Sequence, residues 1–291
     1  MEKLNAQDAG FLRMESAHCP FHVAALMIFR KPARAPGSYL RRLAVKCGRL
    51  NELWPVFDKQ LKNPDDLSNA SWVRARDYRP ERHVMHYALP PPGRMADLVQ
   101  LVTRVHERPL DRGRPLWELH LIEGLGADRF AIYCKIHHAL VDGVGGMQML
   151  QGLCTTSPKQ VLDVDQPREE AGHSAAHHSL FDELGKVTRG LLKQYRAIPE
   201  LSGLLAHMGL EALQGKGDAM RLPFTAPRSL FNTELNSHRG LTLCDLPFNV
   251  VRRMGRQAGG SINDVLLAIC GGALRRYLLE QDALPRSSLV A

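Results

Sequence analysis

Arg129-Phe130-Ala131-Ile132-Tyr133-Cys134-Lys135-Ile136-His137-His138-Ala139-Leu140-Val141-Asp142-Gly143 changes its periodicity partway along, and that change decides the fold. Phe130, Ile132, Cys134 and Ile136 share one face of an alternating run, with Arg129, Ala131, Tyr133 and Lys135 opposite, so residues 129–136 read as a strand. His138 continues the apolar face. His137 points the other way, which predicts different jobs for the two imidazoles. Beyond the turn, Val144, Met147, Leu150 and Cys154 take helical spacing, with Asp142 in the N-cap position. The stretch is therefore strand, tight turn, helix, and the turn gathers a proton acceptor, a carboxylate and a glycine. A histidine titrates near neutral pH and can take a proton from a hydroxyl, a neighbouring carboxylate can fix its surroundings, and Gly143 admits a close approach.

Outward from this stretch, elements alternate. Residues 117–123 pair with the strand through a turn at 124–128, residues 95–107 form a helix marked by Leu98, Leu101, Val102 and Val105, and residues 83–89 form a short strand. Nearer the start, residues 21–29 read as a strand and 38–50 as a helix capped by Ser38. Strands alternating with helices predict a layered α/β domain. Residues 157–179 are rich in proline, polar and charged side chains and read as a linker, followed by helical spacing through Leu180, Leu184, Val187, Leu191 and on to Met208. Residues 241–246 read as a strand, Pro247 opens a helix that Gly259-Gly260 ends, and Ser261 or Asn263 caps a last helix to about Glu280.

Composition narrows the class. The chain has 291 residues, 44% hydrophobic and 23% charged, which is globular rather than disordered. No leader is visible: the most apolar early run, 23–29, is too short for a secretory core or a membrane span, which predicts a cytoplasmic protein. Six cysteines without close pairing favour reduced thiols over a disulfide frame or zinc site. The net charge of +8 suits anionic partners such as CoA phosphates or acidic lipid headgroups. Nucleic acid is not expected, since neither zinc-finger spacing nor an aromatic–basic motif accompanies the charge. His173, His177 and His178 lack a matched second ligand cluster, so no metal is predicted.

Each singled-out residue has a structural alternative. His138 could be a hydrogen-bonded core histidine and Asp142 a helix cap; Gly143, Gly145 and Gly146 could serve close packing, and they lack dinucleotide-loop spacing. Trp117 in Pro115-Leu116-Trp117-Glu118 reads as a core aromatic entering a strand. Asn263 and Asp264 read as a helix-start pair.

The HHxxxDG pattern nevertheless resembles the motif of CoA-dependent acyltransferases. Pro115-Leu116-Trp117-Glu118 before it, Gly260-Ser261-Ile262-Asn263-Asp264-Val265-Leu266-Leu267-Ala268 after it, and the opening Leu4-Asn5-Ala6-Gln7-Asp8-Ala9-Gly10-Phe11-Leu12 with Glu15 narrow the likeness. Together they are similar to the bacterial wax ester synthase/diacylglycerol acyltransferase family. The resemblance implies a chloramphenicol acetyltransferase-like α/β fold in which residues 1–156 form the first acyltransferase domain, 157–217 a linker with a helical segment, and 218–291 the start of a second, similar domain, so that the chain reads as carboxy-terminally truncated. It implies an O-acyltransferase moving a long-chain acyl group from acyl-CoA to diacylglycerol or a fatty alcohol, with no cofactor beyond that substrate.

His138 is then the expected general base, Asp142 the carboxylate that organises its loop, and His137, Gly143, Asn263 and Asp264 supporting residues, with the Asn263 amide a candidate donor to an oxyanion. Without a GxSxG elbow or a cysteine in a nucleophile setting, no acyl-enzyme is expected. The apolar helix near 180–208 and the basic excess point to peripheral attachment at a membrane or lipid droplet, and apolar surface in the second domain to self-association. The alternatives are a condensation-type acyltransferase acting on carrier-bound thioesters, and a lipid-associated fragment without turnover.

Overall fold

The computed structural model describes residues 2–67, 70–141, 143–155 and 227–289. These fall into two compact units. The first takes its residues from Met1–Leu192 and Asn236–Leu241, the second from Lys193–Leu235 and Thr242–Ala291. The expected linker and the helix near 180–208 lie outside the described residues, as do His173, His177 and His178.

In the first unit the elements run β1 (Glu2–Lys3), α1 (Ala6–Met14), β2 (His22–Arg30), α2 (Tyr39–Cys47), α3 (Leu50–Leu53), β3 (Lys59–Leu61), β4 (Ser71–Arg74), β5 (Val84–Ala88), α4 (Met95–Glu107), β6 (Trp117–Leu125), β7 (Arg129–His137) and α5 (Gly143–Gly152). Four strands form a mixed sheet in the order β2-β7-β6-β5, with β5 parallel to β6 and the other pairs antiparallel; β1, β4 and β3 form a small second sheet. The α4 helix matches the expected 95–107 because Leu98, Val102 and Val105 repeat every three to four residues and bury one stripe against Ile122, Ala131 and Tyr133. On the opposite face Leu40 of α2 packs against Leu121 and Phe130. The largest cluster gathers Trp54, Phe57, Trp72, Leu116, Trp117 and Ile136.

Two expectations are corrected here. The alternation in β7 does not separate a buried from a solvent face, since α4 covers Ala131, Tyr133 and Lys135 on the second side, and Tyr133, Lys135 and His137 are as buried as Cys134 and Ile136. The helix expected over 38–50 is two: α2 stops at Cys47 and α3 follows, with Ser38 at the N-cap position but making no side-chain cap bond. The break falls at Gly48, where a Cβ would lie 2.7 Å from the Cβ of Pro80, so another segment packs too close for a side chain.

In the second unit α6 (Phe248–Gln257) follows Pro247 and packs on α7 (Ile262–Glu280) through Val251, Gly255 and Val265. Residues 241–246, expected as a strand, take no regular structure, because no described strand offers them a ladder partner. Ser261, not Asn263, caps α7: its hydroxyl accepts the Asp264 N–H, while the Asp264 carboxylate accepts the Ser261 N–H at 2.6 Å. Asp264 is thereby a capping-box residue, and Asn263 follows the cap with an exposed side chain. Among the described residues no helix is long and apolar enough to cross a membrane.

Candidate active site

The end of β7 delivers both histidines into a turn fixed from three sides. His137 N–H donates to the Leu116 carbonyl at 2.9 Å, His138 N–H to the Phe21 carbonyl at 2.8 Å, and Leu140 N–H closes back on the His137 carbonyl at 2.9 Å. Ala139, Leu140 and Val141 are buried in the Trp117 cluster, and α5 opens at Gly143. Asp142 lies outside the described residues.

The two imidazoles differ in burial and in partners. His137 has no exposure. Its Nδ1 accepts the Ala139 N–H at 3.0 Å, so in the neutral ring the proton sits on Nε2, which lies 3.3 Å from Oε1 of Glu15. His138 is half-buried, its ring resting on Phe11 with centroids 4.6 Å apart, and its Nδ1 meets no hydrogen-bond partner among the described residues. His137 is thus fully buried and tied to the turn through Nδ1, with Nε2 facing Glu15, whereas His138 is only half-buried and rests on Phe11.

Glu15 was read only as part of the opening motif; the structure makes it a junction. Its Oε1 accepts the Phe21 N–H at 3.1 Å, and its Oε2 accepts Nε and Nη2 of Arg112 at 3.0 and 2.9 Å; Nη2 also reaches the Leu12 carbonyl at 2.6 Å. One carboxylate, with 5% of its side chain exposed, therefore joins the end of α1, the entry to β2, the loop before β6 and the exit of β7. Burial opposes its ionisation, but His137, the Phe21 N–H and Arg112 outweigh burial and hold its pKa at about 2. No local pattern announces Arg112 as its partner.

A second polar cluster lies under α4. Lys135 Nζ, fully buried, donates to the carbonyls of Val105 and Arg108 at 3.0 and 2.8 Å and lies 3.2 Å from Glu118 Oε2. It supplies the donors that the C-terminal carbonyls of α4 lack. His22 Nε2 hydrogen-bonds the His106 carbonyl at 2.9 Å and His106 Nδ1 the Tyr133 hydroxyl at 2.6 Å. Burial, with Lys135 and His106 adding to it, lowers the pKa of His22 to about 4; burial and then Lys135 lower that of His106. Burial also lowers the pKa of Lys135.

Trp117 is fully buried and donates from Nε1 to the Phe57 carbonyl at 2.7 Å, while His83 stacks on its ring at 4.8 Å. Pro115-Leu116-Trp117 therefore positions the turn from behind, through the Leu116 carbonyl. Cys134, the cysteine nearest the histidines in sequence, is buried with its pKa pushed up to about 12, so it is a packing thiol rather than a thiolate nucleophile. No group of three metal-ligating side chains occurs among the described residues. Asn263 and Asp264 belong to the second unit, and the residues that build this turn belong to the first.

Residues 4–266 match the model of the wax ester synthase/diacylglycerol acyltransferase catalytic domain. Among curated proteins the chain is similar to Rv3740c of Mycobacterium tuberculosis, named provisionally as a diacylglycerol O-acyltransferase, with 38% identity over 98% of this chain and 62% of that protein. It is also similar to tgs2 of the same organism, likewise provisionally named, with 34% identity over 100% of this chain and 63% of the relative. Among solved structures, the wax ester synthase/diacylglycerol acyltransferase from Marinobacter aquaeolei VT8 aligns with a TM-score of 0.67 and 30% identity, over 98% of this chain and 63% of that one. The chain thus spans somewhat under two thirds of the length of these relatives, and the expected chloramphenicol acetyltransferase-like α/β architecture is the one it shares with the solved structure.

Proposed function

The chain belongs to the wax ester synthase/diacylglycerol acyltransferase catalytic-domain family, and on that premise we propose that it transfers a long-chain acyl group from acyl-CoA to the hydroxyl of diacylglycerol or of a fatty alcohol. The observation that supports the assignment of the base is the different setting of the two histidines: His137 is fully buried, accepts the Ala139 N–H and faces Glu15, whereas His138 is half-buried against Phe11. His138 takes the proton from the acceptor hydroxyl as that oxygen attacks the thioester carbonyl. The tetrahedral oxyanion collapses, the carbon–sulfur bond breaks, and the CoA thiolate leaves with the proton returned by the imidazolium. Direct transfer needs no acyl-enzyme, in keeping with the buried, strongly raised Cys134 thiol.

In this reading Asp142 organises the turn, Gly143 opens α5 beside it, His137 acts as a positioning residue, and Asn263 is the candidate oxyanion donor. Asp264 supports it by capping α7. Residues 1–156 carry the base, and 218–291 begin a second acyltransferase-like domain; self-association would run through the apolar surface of that domain. The experiment is direct. Radiolabelled acyl-CoA is supplied with hexadecanol or diacylglycerol to the parent and to His138→Ala, and the neutral lipids are separated. Labelled wax ester or triacylglycerol from the parent and none from the variant supports the reading; equal turnover by the two overturns the base assignment.

A further inference from the structure

Between Glu15 and Glu52 the chain carries no acidic residue, yet it places seven Lys and Arg there. The fold collects most of them on one surface. In α2, Leu40, Leu43, Ala44 and Cys47 turn toward the sheet, which leaves Arg41, Arg42, Val45 and Lys46 exposed along the opposite side of the helix at three- and four-residue spacing. Lys31 and Arg34 lie in the loop that leads into α2. Two other basic residues in the stretch have carboxylates beside them: Arg49 pairs with Glu52, and Arg30 lies 3.9 Å from Asp128. Lys31, Arg34, Arg41, Arg42 and Lys46 make no ion pair with a described carboxylate.

We propose that the outer face of α2 and its leading loop dock on an anionic phospholipid bilayer. This rests on the reading above only in choosing a lipid surface as the partner, because the proposed acceptors are lipids. Charge supplies the complementarity: a cluster of four to eight basic side chains is the size that an acidic headgroup layer holds, at about 1 kcal/mol each. Val45, 66% exposed among these cations, adds an apolar tip that can enter the headgroup–acyl boundary. A single-stranded nucleic acid would need aromatic rings free for stacking, and the two aromatics beside this surface are otherwise engaged. Phe29 and Tyr39 both pack on Phe130, with centroids 5.4 and 6.3 Å away.

The test is co-sedimentation of the 291-residue chain with vesicles of phosphatidylcholine alone and of phosphatidylcholine mixed with phosphatidylglycerol. Binding is expected only to the mixed vesicles and is expected to be released by salt. Arg41→Gln, Arg42→Gln and Lys46→Gln combined should lower partitioning by about a hundredfold, at about fivefold per charge. Arg252→Gln, Arg253→Gln and Arg256→Gln on α6 remove the same net charge and should leave most of the binding. Arg41→Lys with Arg42→Lys should retain it, and Val45→Glu alone should weaken it, so a triple variant that fails to fold does not protect the proposal. Equal losses from the two triple variants, no binding of the parent to mixed vesicles, displacement by free CoA, or preference for an RNA oligonucleotide at the same salt would each overturn it. Partitioning is read without turnover, so an inactive chain that binds leaves this surface standing, and an active chain that does not bind removes it alone.

Discussion

Replacing Glu15 by Gln keeps the side-chain shape and removes the charge that Arg112 and His137 face. A pKa lowered from 4.5 to about 2 means that the folded protein favours the carboxylate by about 3 kcal/mol, at 1.36 kcal/mol for each pKa unit. With 5% of the side chain exposed, little of this is lost to solvent screening. The amide can still accept the Phe21 N–H and one Arg112 bond, so the expected loss is roughly 2–3 kcal/mol, close to the cost of breaking a buried ion pair. Thermal denaturation should show a melting temperature lower by roughly 5–10 °C.

The pH dependence is the sharper check. A depressed carboxylate contributes stability that is complete above its unfolded pKa and is lost as pH falls toward its folded pKa. The gap between parent and Glu15→Gln should therefore be constant above about pH 6 and shrink by more than half by about pH 3. A gap that persists unchanged through that range would refute the junction role of the charge. Turnover should fall with stability, because loosening the His137 turn by 1 Å can cost about a hundredfold in rate.

Other outcomes follow from the same geometry. His138→Ala should cut acyl transfer by about 10²–10⁴-fold with the circular dichroism spectrum unchanged, whereas His137→Ala should act mainly through stability, costing about 1–3 kcal/mol by stranding the Ala139 N–H and removing one of the groups that face Glu15. His22 has its folded pKa lowered to about 4 from 6.5, so the unfolded chain binds the extra proton between those values, and stability should rise with pH across that window by up to about 3 kcal/mol. His22→Phe should flatten that rise in urea titrations, and an unchanged slope would place its origin elsewhere. The exposed Leu266, Leu267, Ile269, Leu274, Tyr277 and Leu279 of α7 predict self-association of the chain at micromolar concentration, read by sedimentation velocity and reversed by Leu267→Glu.

The turn, its strand and its helix were legible because their information is local: alternation ends, two histidines follow, and helical spacing begins within a few residues. The Ser261 cap was legible to within a choice of two, and capping chemistry favours the residue whose hydroxyl has an acidic partner three positions on. The Glu15 junction was not legible, since its partners lie 97 residues away at Arg112 and still farther along at His137, and a single carboxylate among charged neighbours carries no periodic signal. The strand expected over 241–246 failed for a related reason: alternation states which residues could share a face, but a strand exists only where a ladder partner waits.

Lys135 shows why the second face of the sheet was misread. Counting back from the hairpin turn, Leu125 pairs with Arg129, and the same register continued would set Glu118 opposite Ile136. The irregularity between Ile122 and Leu125 shifts the pairing by one, and Glu118 falls opposite Lys135, with His120 opposite Tyr133. A face that reads as polar in each strand alone thus becomes a set of groups paired with one another, Glu118 with Lys135 and His120, which α4 covers. The helix then takes part: its terminal carbonyls receive the Lys135 ammonium, which fixes the point where the chain leaves α4 for the loop that carries Arg112 to Glu15. Residues on the strand that ends in the two histidines therefore hold the turn from below as well as from within, and the one-residue irregularity near the hairpin is what makes that arrangement possible.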